Sequence, residues 1–598
     1  MYDTKQLAEN ATMQSFLNCY LRETRNYREE TAWNFHHRPD GDNLEKVLVS
    51  KLTLQGMELV IPVKYWSETD RHLFAFPLYY RTVGREILRP IDYVTLTSLI
   101  VKEFLLNQNS RGAEDELIHR IILSCRNIRT SLEERLEGGD ALTQADFNFI
   151  DAEQSLLFGH LLHPTPKSKQ GITDEEDRIH SPERKGKFEL HYFAVASSLV
   201  SEDSSREISA SSIILEELKN DPCVDRELLA DILKKDNKKL IPVHPLQVKK
   251  LLDSKEVKER IAKGELAYIG PLGKKYMATS SFRTVYNKDS KYMFKFSVPV
   301  KITNSLRINQ RKELARGVEV SRLLQTEVGV RLQQEFPDFQ ILEDPAYIDL
   351  KSAEECSGFE VVIRDNPFYE NSKQTSLIAG LCQDHPYGGK PRIYYVIEEI
   401  AKRENRSMEE VSIDWFQLYL SLTLDPMIWL FNTYGIALEA HQQNSVIQLE
   451  NGYPKTFYYR DNQGYYYSKS KSQRLMELLP GLNTLSDTVC EDDVAEERLR
   501  YYFFFNHLFG LINGFGVSGL VEEKALLSVL RERLKIYEEK MPSNLLKSLL
   551  YQPVLNCKAN LLTRFHDMDE LVGPMEAQSF YTLVKNPIAE EVGISHAL

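Results

Sequence analysis

The stretch KFSVPVKITNSLR, residues 295–307, alternates almost without a break. Phe296, Val298, Val300, Ile302 and Leu306 share one parity, and Lys295, Ser297, Lys301, Thr303, Ser305 and Arg307 share the other. Period-two alternation predicts a half-buried strand with one face on a core and one toward solvent or a ligand. A solvated face ordinarily mixes acids with bases, whereas this one carries cations and hydroxyls and no acid. It reads as a strand that meets an anion. Fully extended, Lys295 and Arg307 would lie roughly 40 Å apart at about 3.3 Å per residue, so they share one ligand only where the chain bends. Pro299 and Thr303–Asn304 are the candidate bends.

Just upstream, ATSSFRT (278–284) packs four hydroxyls and an arginine into seven residues, a donor set suited to phosphate or carboxylate oxygens. Such clusters also make ordinary turns. The neighbouring Lys295, Lys301 and Arg307 favour the anion. Further on, EAHQQN (439–444) leads into SVIQLENGYPKTFYYRDNQG, where Asn451–Gly452 is a strong turn signal between two strand-like runs. A hairpin folding there brings Asn444 opposite Asp461. An amide oxygen and a carboxylate meeting at a hairpin base suit Mg²⁺, which takes oxygen ligands and keeps waters, and Glu439 would add a second carboxylate. The same residues would also serve as turn caps. His441 lies between this pair and the basic face, placed to meet a phosphate oxygen. GHLLHPTPKSKQGI (159–172) adds two histidines, two prolines and two cations in a stiff loop.

The rest of the chain bounds these readings. At 598 residues it exceeds one compact core, and a composition 42% hydrophobic and 27% charged is that of a folded protein of several domains. No apolar run approaches the roughly 20 residues that span a bilayer, and MYDTKQLAENATMQ lacks the pattern of a signal peptide. Seven scattered cysteines without a CxxC pair argue for a reducing compartment, the cytoplasm, and against a structural zinc site. A net charge of −13 argues against nucleic-acid binding and makes the local basic face stand out. Helical periodicity marks 13–21, 93–108, 113–136, 412–436 and 523–540, and strand-like runs appear at 187–196, 238–245 and 292–303, so the class is α+β. GFGVSG (514–519) fits G-x-G-x-x-G but follows a helical pattern rather than a strand, and reads as a helix end and turn. No P-loop, G-x-S-x-G or H-E-x-x-H is present.

GHLLHPTPKS, HPLQ (His244–Gln247), ATSSFRT, KITNSLR, EAHQQN, RDNQG (460–464) and CKANLLTRF (557–565), in that order, resemble the IucA/IucC family of siderophore synthetases, which work without a nonribosomal peptide template. Within the family, MQSFLNCYLRE and the run from EAHQQNSV to RDNQG look most like the synthetase that joins citrate to spermidine in petrobactin assembly. The resemblance implies a multi-domain cupped hand with a kinase-like palm: residues 1–158 a largely helical thumb, 159–330 mixed fingers with anion-binding loops, and 331–598 an α+β palm with the metal-binding hairpin. It implies adenylation of citrate by ATP with release of pyrophosphate, then attack by an amine and release of AMP, in a homodimer acting on small molecules. Carried over by motif, Ser280, Ser281, Arg283, Thr284, Lys295, Arg307, His441 and Asp461 would meet ATP, with Arg307, His441 and Lys295 carrying the catalysis. His163, Lys167, Thr303, Asn304, Arg307, Gln443 and Lys558 would face citrate, and Glu439, Asn444 and Asp461 would hold Mg²⁺. Two departures bear on the fit of the carboxylate substrate: Lys169 replaces a common Arg, and Leu246 a common Trp. Citrate and ATP bring about seven negative charges into one cleft, and a desolvated row of cations and hydroxyls cancels that repulsion better than water does. Spermidine is the expected amine, with a hydroxamate-bearing diamine or a diaminopropionate-type amino acid as alternatives. A kinase-like phosphotransferase and a non-catalytic ATP- or citrate-binding protein are the rival functions.

Overall fold

The computed structural model describes residues 3–30, 44, 46–108, 113–234, 237–303, 305–461, 463–566, 568 and 580–589. The fold is mixed α+β and its parts follow chain order. The helix Thr4–Thr24 opens it, capped by the Asp3 carboxylate on the Lys5 and Gln6 amides. A six-stranded antiparallel sheet over residues 28–91 comes next, and the helices Tyr93–Gln108 and Glu114–Arg135 pack with the first helix. The helices were legible in the sequence; this sheet was not.

The second part is an eight-stranded antiparallel sheet. Its central strands are Lys187–Ala196, Leu266–Ala278, Thr284–Tyr286, Tyr292–Phe296 and Val361–Asp365. Because Ala346–Leu350 and Val361–Asp365 belong to it, the sheet runs past residue 330. The third part surrounds the buried helix Met408–Tyr434, which starts at a Ser407–Glu410 capping box and ends at Gly435. Gly435 adopts φ 71, and a Cβ there would meet the Ser468 and Lys471 side chains at 2.9 Å. This stop turns the chain into the strand Ile436–Leu438 and directly into EAHQQN. GFGVSG closes the helix Phe509–Ser518 with Gly519 left-handed, as a helix end and turn.

The opening stretch departs from its reading as one strand. Lys295 and Phe296 end the strand Tyr292–Phe296, and Lys301–Ile302 then pairs antiparallel with Ser305–Leu306, Lys301 facing Leu306 and Ile302 facing Ser305. The bend lies at Thr303, which takes φ 53, one of the two sites geometry allowed; Asn304 lies outside the described residues. The fold-back inverts parity: Lys301 shares a face with Leu306, and Ile302 with Ser305, so the two sets of the sequence alternation do not stay on separate faces. The basic face is not solvated either: Lys295 and Ser297 are buried along with Phe296, Val298 and Val300. The hairpin is covered by Lys169–Gln170, which pairs with Lys301–Ile302. Gly171 permits that contact, since a Cβ there would sit 2.6 Å from the Pro299 carbonyl oxygen.

The Asn451–Gly452 hairpin forms from Ser445–Glu450 and Tyr453–Tyr459, with a register shift after Gln448. Asn444 therefore faces Arg460 along the backbone, one residue from the expected register. Behind it, His507 is fully buried and anchors the EAHQQN loop through Ala440. Its Nδ1 lies 2.8 Å from the Ala440 carbonyl, which can only accept, so Nε2 takes the Tyr419 hydroxyl proton at 2.5 Å. Burial pushes this imidazole down to about 3. Its native pKa lies below its unfolded one, so its stabilising contribution is complete above about 6.5 and is lost as pH falls toward 3. Between pH 7 and 5 the stability advantage of the wild type over a non-titrating His507→Asn variant shrinks by about 2 kcal/mol. Denaturation of both proteins at the two pH values measures this, and a gap independent of pH contradicts it.

Candidate functional site

One cavity of about 320 Å³ gathers segments from all three parts of the chain. It is lined by Ser280, Ser281, Arg283, Lys295, Thr303 and Arg307 from the central region, and by His163 and Lys167 from the proline-rich loop. Glu439, His441, Gln443, Asn444, Asp461 and Lys558 complete the expected set. Of the expected residues described, only Thr284 does not line it: Thr284 is a buried strand residue paired with Lys295 whose amide binds the Ser281 hydroxyl at 3.1 Å. Lys301, on the same strand face in the sequence, is not among the lining residues either. Seven cations line the cavity against four carboxylates, in a chain of net charge −13. The cavity attracts anions against the background of the molecule.

The ATSSFRT loop joins two strands, with Phe282 in the left-handed region (φ 69) and its amide on the Thr279 carbonyl. This turn aims Arg283 inward, where its Nη1 donates to Asn309 Oδ1 at 3.0 Å. Burial pulls the Arg283 guanidinium down to about 10. Lys295, held between the strands of Thr284 and Val362, sits 3.5 Å from Asp461 Oδ1. Burial and neighbouring Arg283 lower its ammonium to about 8, so it stays largely protonated at neutral pH. Arg307 Nη2 donates to the Thr303 hydroxyl at 3.2 Å and the Ile302 carbonyl at 3.3 Å. The Thr303 carbonyl is itself held by Arg120 from the helix Glu114–Arg135.

On the opposite wall, Asn444 Nδ2 donates to Asp461 Oδ2 at 3.0 Å and to the Glu439 carbonyl at 3.1 Å. Burial alone would raise the Asp461 carboxyl, but Lys295 and Arg364 outweigh it and hold it low, at about 2. Glu439 goes the other way: burial and the Asp461 charge push it up to about 7, while the Tyr466 hydroxyl binds it at 3.0 Å. His441 Nδ1 accepts the backbone N–H of Gln443 and Asn444, both at 3.2 Å. Its proton therefore sits on Nε2, 3.7 Å from Glu439. Burial lowers it to about 4, so at neutral pH it is an uncharged hydrogen-bond donor.

Lys169 and Lys167 do not act alone. Lys169 Nζ binds Asp177 and the Ser181 hydroxyl at 2.7 Å and Glu183 at 2.5 Å; Lys167 lies 3.6 Å from Glu183. Burial works against the Lys169 ammonium, yet Glu183 and Asp177 overcome it and raise its pKa. The charge at 169 thus neutralises an internal acidic cluster at the edge of the cavity, so the change from Arg to Lys bears on that cluster as well as on the substrate. Lys169→Met should destabilise the protein by about 3 kcal/mol, the low end for breaking a buried ion pair, because Glu183 keeps Lys167 and Asp177 keeps Arg184. A shifted denaturation midpoint checks this; an unchanged one contradicts it. Glu153 and Tyr501, which also line the cavity, belong to none of the sequence motifs, whereas Arg460 heads RDNQG and lies behind the wall.

The IucA / IucC family model matches residues 148–383, and a model described as Ferric iron reductase FhuF-like transporter matches 413–573. The chain is 46% identical to a spermidine-citrate ligase of Bacillus anthracis, over 99% of this chain and 100% of that protein. It is 35% identical to the Rhizobactin siderophore biosynthesis protein RhbC of Rhizobium meliloti, over 99% of each. Among solved structures it is similar to ATP-bound aerobactin synthetase IucA from a hypervirulent pathotype of Klebsiella pneumoniae. That match has a TM-score of 0.86 and 26% identity, covering 97% of this chain and 99% of the other.

Proposed function

The chain belongs to the IucA/IucC family, and on that premise we propose that it is an ATP-dependent ligase that adenylates a carboxylate of citrate and joins it to a primary amine of spermidine. The observation that carries the reading is the 46% identity to a spermidine-citrate ligase along the whole chain. The cavity supports it, because its convergent cations suit two polyanions. A carboxylate oxygen of citrate attacks the α-phosphorus of ATP and pyrophosphate leaves. The amine nitrogen then attacks the acyl carbon, gives up its proton, and AMP leaves.

In this reading Ser281, Arg283, Lys295 and Arg307 bind the phosphates, and the Nε2–H of His441 donates to a phosphate oxygen without adding charge. Because these donors are already desolvated and fixed by their own partners, they need little reorganisation as charge moves toward the leaving pyrophosphate. Ser280 lies beside them, and His163, Lys167, Thr303, Gln443 and Lys558 orient the citrate carboxylates.

A divalent cation fits the opposite wall. Glu439, Asp461 and Asn444 are hard oxygen donors, and Mg²⁺ uses one or two carboxylates together with phosphate and water. The upward shift of Glu439, from burial and then from the Asp461 charge, marks a second carboxylate that a cation shared with Asp461 would stabilise. When bound there, Mg²⁺ would neutralise phosphate charge. A cupped hand with a kinase-like palm, a homodimer and a cytoplasmic location belong to the same proposal; no described helix is long and apolar enough to cross a membrane.

An Asn/Asp metal pair also suits γ-phosphoryl transfer, so nucleotide products decide the reaction class. Purified protein with ATP, Mg²⁺ and citrate should release pyrophosphate, and AMP should accumulate once amine is added. ADP and phosphate in their place would contradict the ligase reading.

A further inference from the structure

Glu153 ends the short helix Phe149–Glu153, is 0% exposed, and belongs to none of the motifs that mark the site. Its carboxylate nonetheless touches the segments that build the cavity wall. Oε2 accepts the Ser280 amide at 2.9 Å, and Oε1 accepts Arg460 Nη2 at 2.6 Å. Arg460 in turn donates to the Gln443 carbonyl at 3.0 Å, and Gln443 Nε2 donates to the Ser280 hydroxyl at 3.3 Å. The ring closes on itself. Glu153, Ser280 and the Gln443/Arg460 pair at the base of one hairpin come from three segments far apart in sequence. Asn148 starts the helix with a capping box on Asp151, and Phe149 is stacked on Phe368 at 4.3 Å, so the element carrying Glu153 is itself held.

We propose that Glu153 is a positioning residue for the adenylation step, one that locks the donor loop 279–284 against the loops bearing Gln443 and Asp461 and keeps the Arg460 charge off the substrates. This rests on the ligase reading above. The carboxylate does two jobs that no neutral side chain does together. It fixes the Ser280 amide, hence the entry to Ser281 and Arg283. It also pairs with Arg460, which is 6% exposed and adjacent in sequence to Asp461. Without that pairing a buried cation would be left beside a cavity meant for phosphates. It would draw an anion out of line and pull Gln443 with it. Ground-state binding would survive while the reacting atoms lose alignment.

The test measures citrate-dependent pyrophosphate release by wild type, Glu153→Gln and Glu153→Asp, with ATP binding and thermal melting recorded for each. Glu153→Gln keeps the shape and loses the charge; Glu153→Asp keeps the charge and is one methylene too short to reach both partners. Both should lower kcat, by about 100-fold for the glutamine variant. The KM for ATP and the ATP dissociation constant should stay within a few-fold of wild type. Adding Arg460→Gln to Glu153→Gln should recover part of the kcat, because the unpaired cation is then gone. A kcat unchanged in both single variants overturns the proposal. So does a loss in Glu153→Asp in which KM rises while ATP affinity and melting temperature fall with it, since that would mark Glu153 as merely structural. Absence of pyrophosphate release by the wild type would instead overturn the ligase reading.

Discussion

Lys295→Met should lower kcat/KM for citrate-dependent pyrophosphate release by about 10³-fold, at the upper end of what one preorganised donor supplies. The backbone at 295 is paired on both sides, to Thr284 and to Val362, so the side chain emerges from a rigid point rather than a loop. Its ammonium is 3.5 Å from Asp461 and close enough to Arg283 for their repulsion to help lower it to about 8. A cation held at that cost in a desolvated place is worth more to a polyanion than one in water. Met keeps the length and apolar bulk, so a fold near wild type in melting temperature is expected. Arginine at 295 should not rescue, because its planar fork is larger and the position is buried on all sides. Steady-state pyrophosphate release checks both variants, and a loss below tenfold in Lys295→Met contradicts the assignment.

Asp461→Asn should be nearly as severe, with loss of activity that high Mg²⁺ restores only in part. Asp461 is the point where the two walls meet: its Oδ1 faces Lys295 and its Oδ2 accepts the Asn444 amide. Asparagine preserves the shape and removes the charge. The expected loss of several kcal/mol of charge stabilisation corresponds to about 10³-fold in rate. Neutralising Asp461 also removes a repulsive charge from Glu439, whose carboxyl should then titrate below its present value of about 7. Rates measured across Mg²⁺ concentrations report the metal requirement. A wild-type rate at ordinary Mg²⁺ would mean that Asp461 holds no metal.

The parts of the site legible in the sequence were those whose chemistry is local. Asn444 and Asp461 meet because Asn451–Gly452 fixes a turn between them, and the one-residue register difference is absorbed by the shift after Gln448. The alternation of 295–307 reads as a single half-solvated strand, which the structure replaces by a buried strand end and a hairpin, with Lys295, Thr303 and Arg307 lining the cavity. The edge of the hairpin is closed by Lys169–Gln170, a pairing over more than a hundred residues that no local pattern encodes. For the same reason the charge at Lys169 could be seen but not its internal partners, Asp177 and Glu183. Glu153 was invisible: a lone glutamate at the end of a short helix looks solvent-facing, and only the assembled fold brings Ser280 and Arg460 to it. The N-terminal sheet was overlooked because the flanking helices carry the stronger periodicity, although KVLVSKL (46–52) and MELVIPVKY (57–65) are rich in valine and isoleucine.

The most direct test of the account is mass spectrometry of the products formed from ATP, Mg²⁺, citrate and spermidine, run beside parallel reactions with a hydroxamate diamine and with a diaminopropionate-type amino acid. The account predicts a citryl-spermidine amide, formed together with AMP and pyrophosphate and absent when citrate is omitted. An adduct with another amine and none with spermidine would contradict the substrate assignment, and ADP without any citrate adduct would contradict the ligase itself.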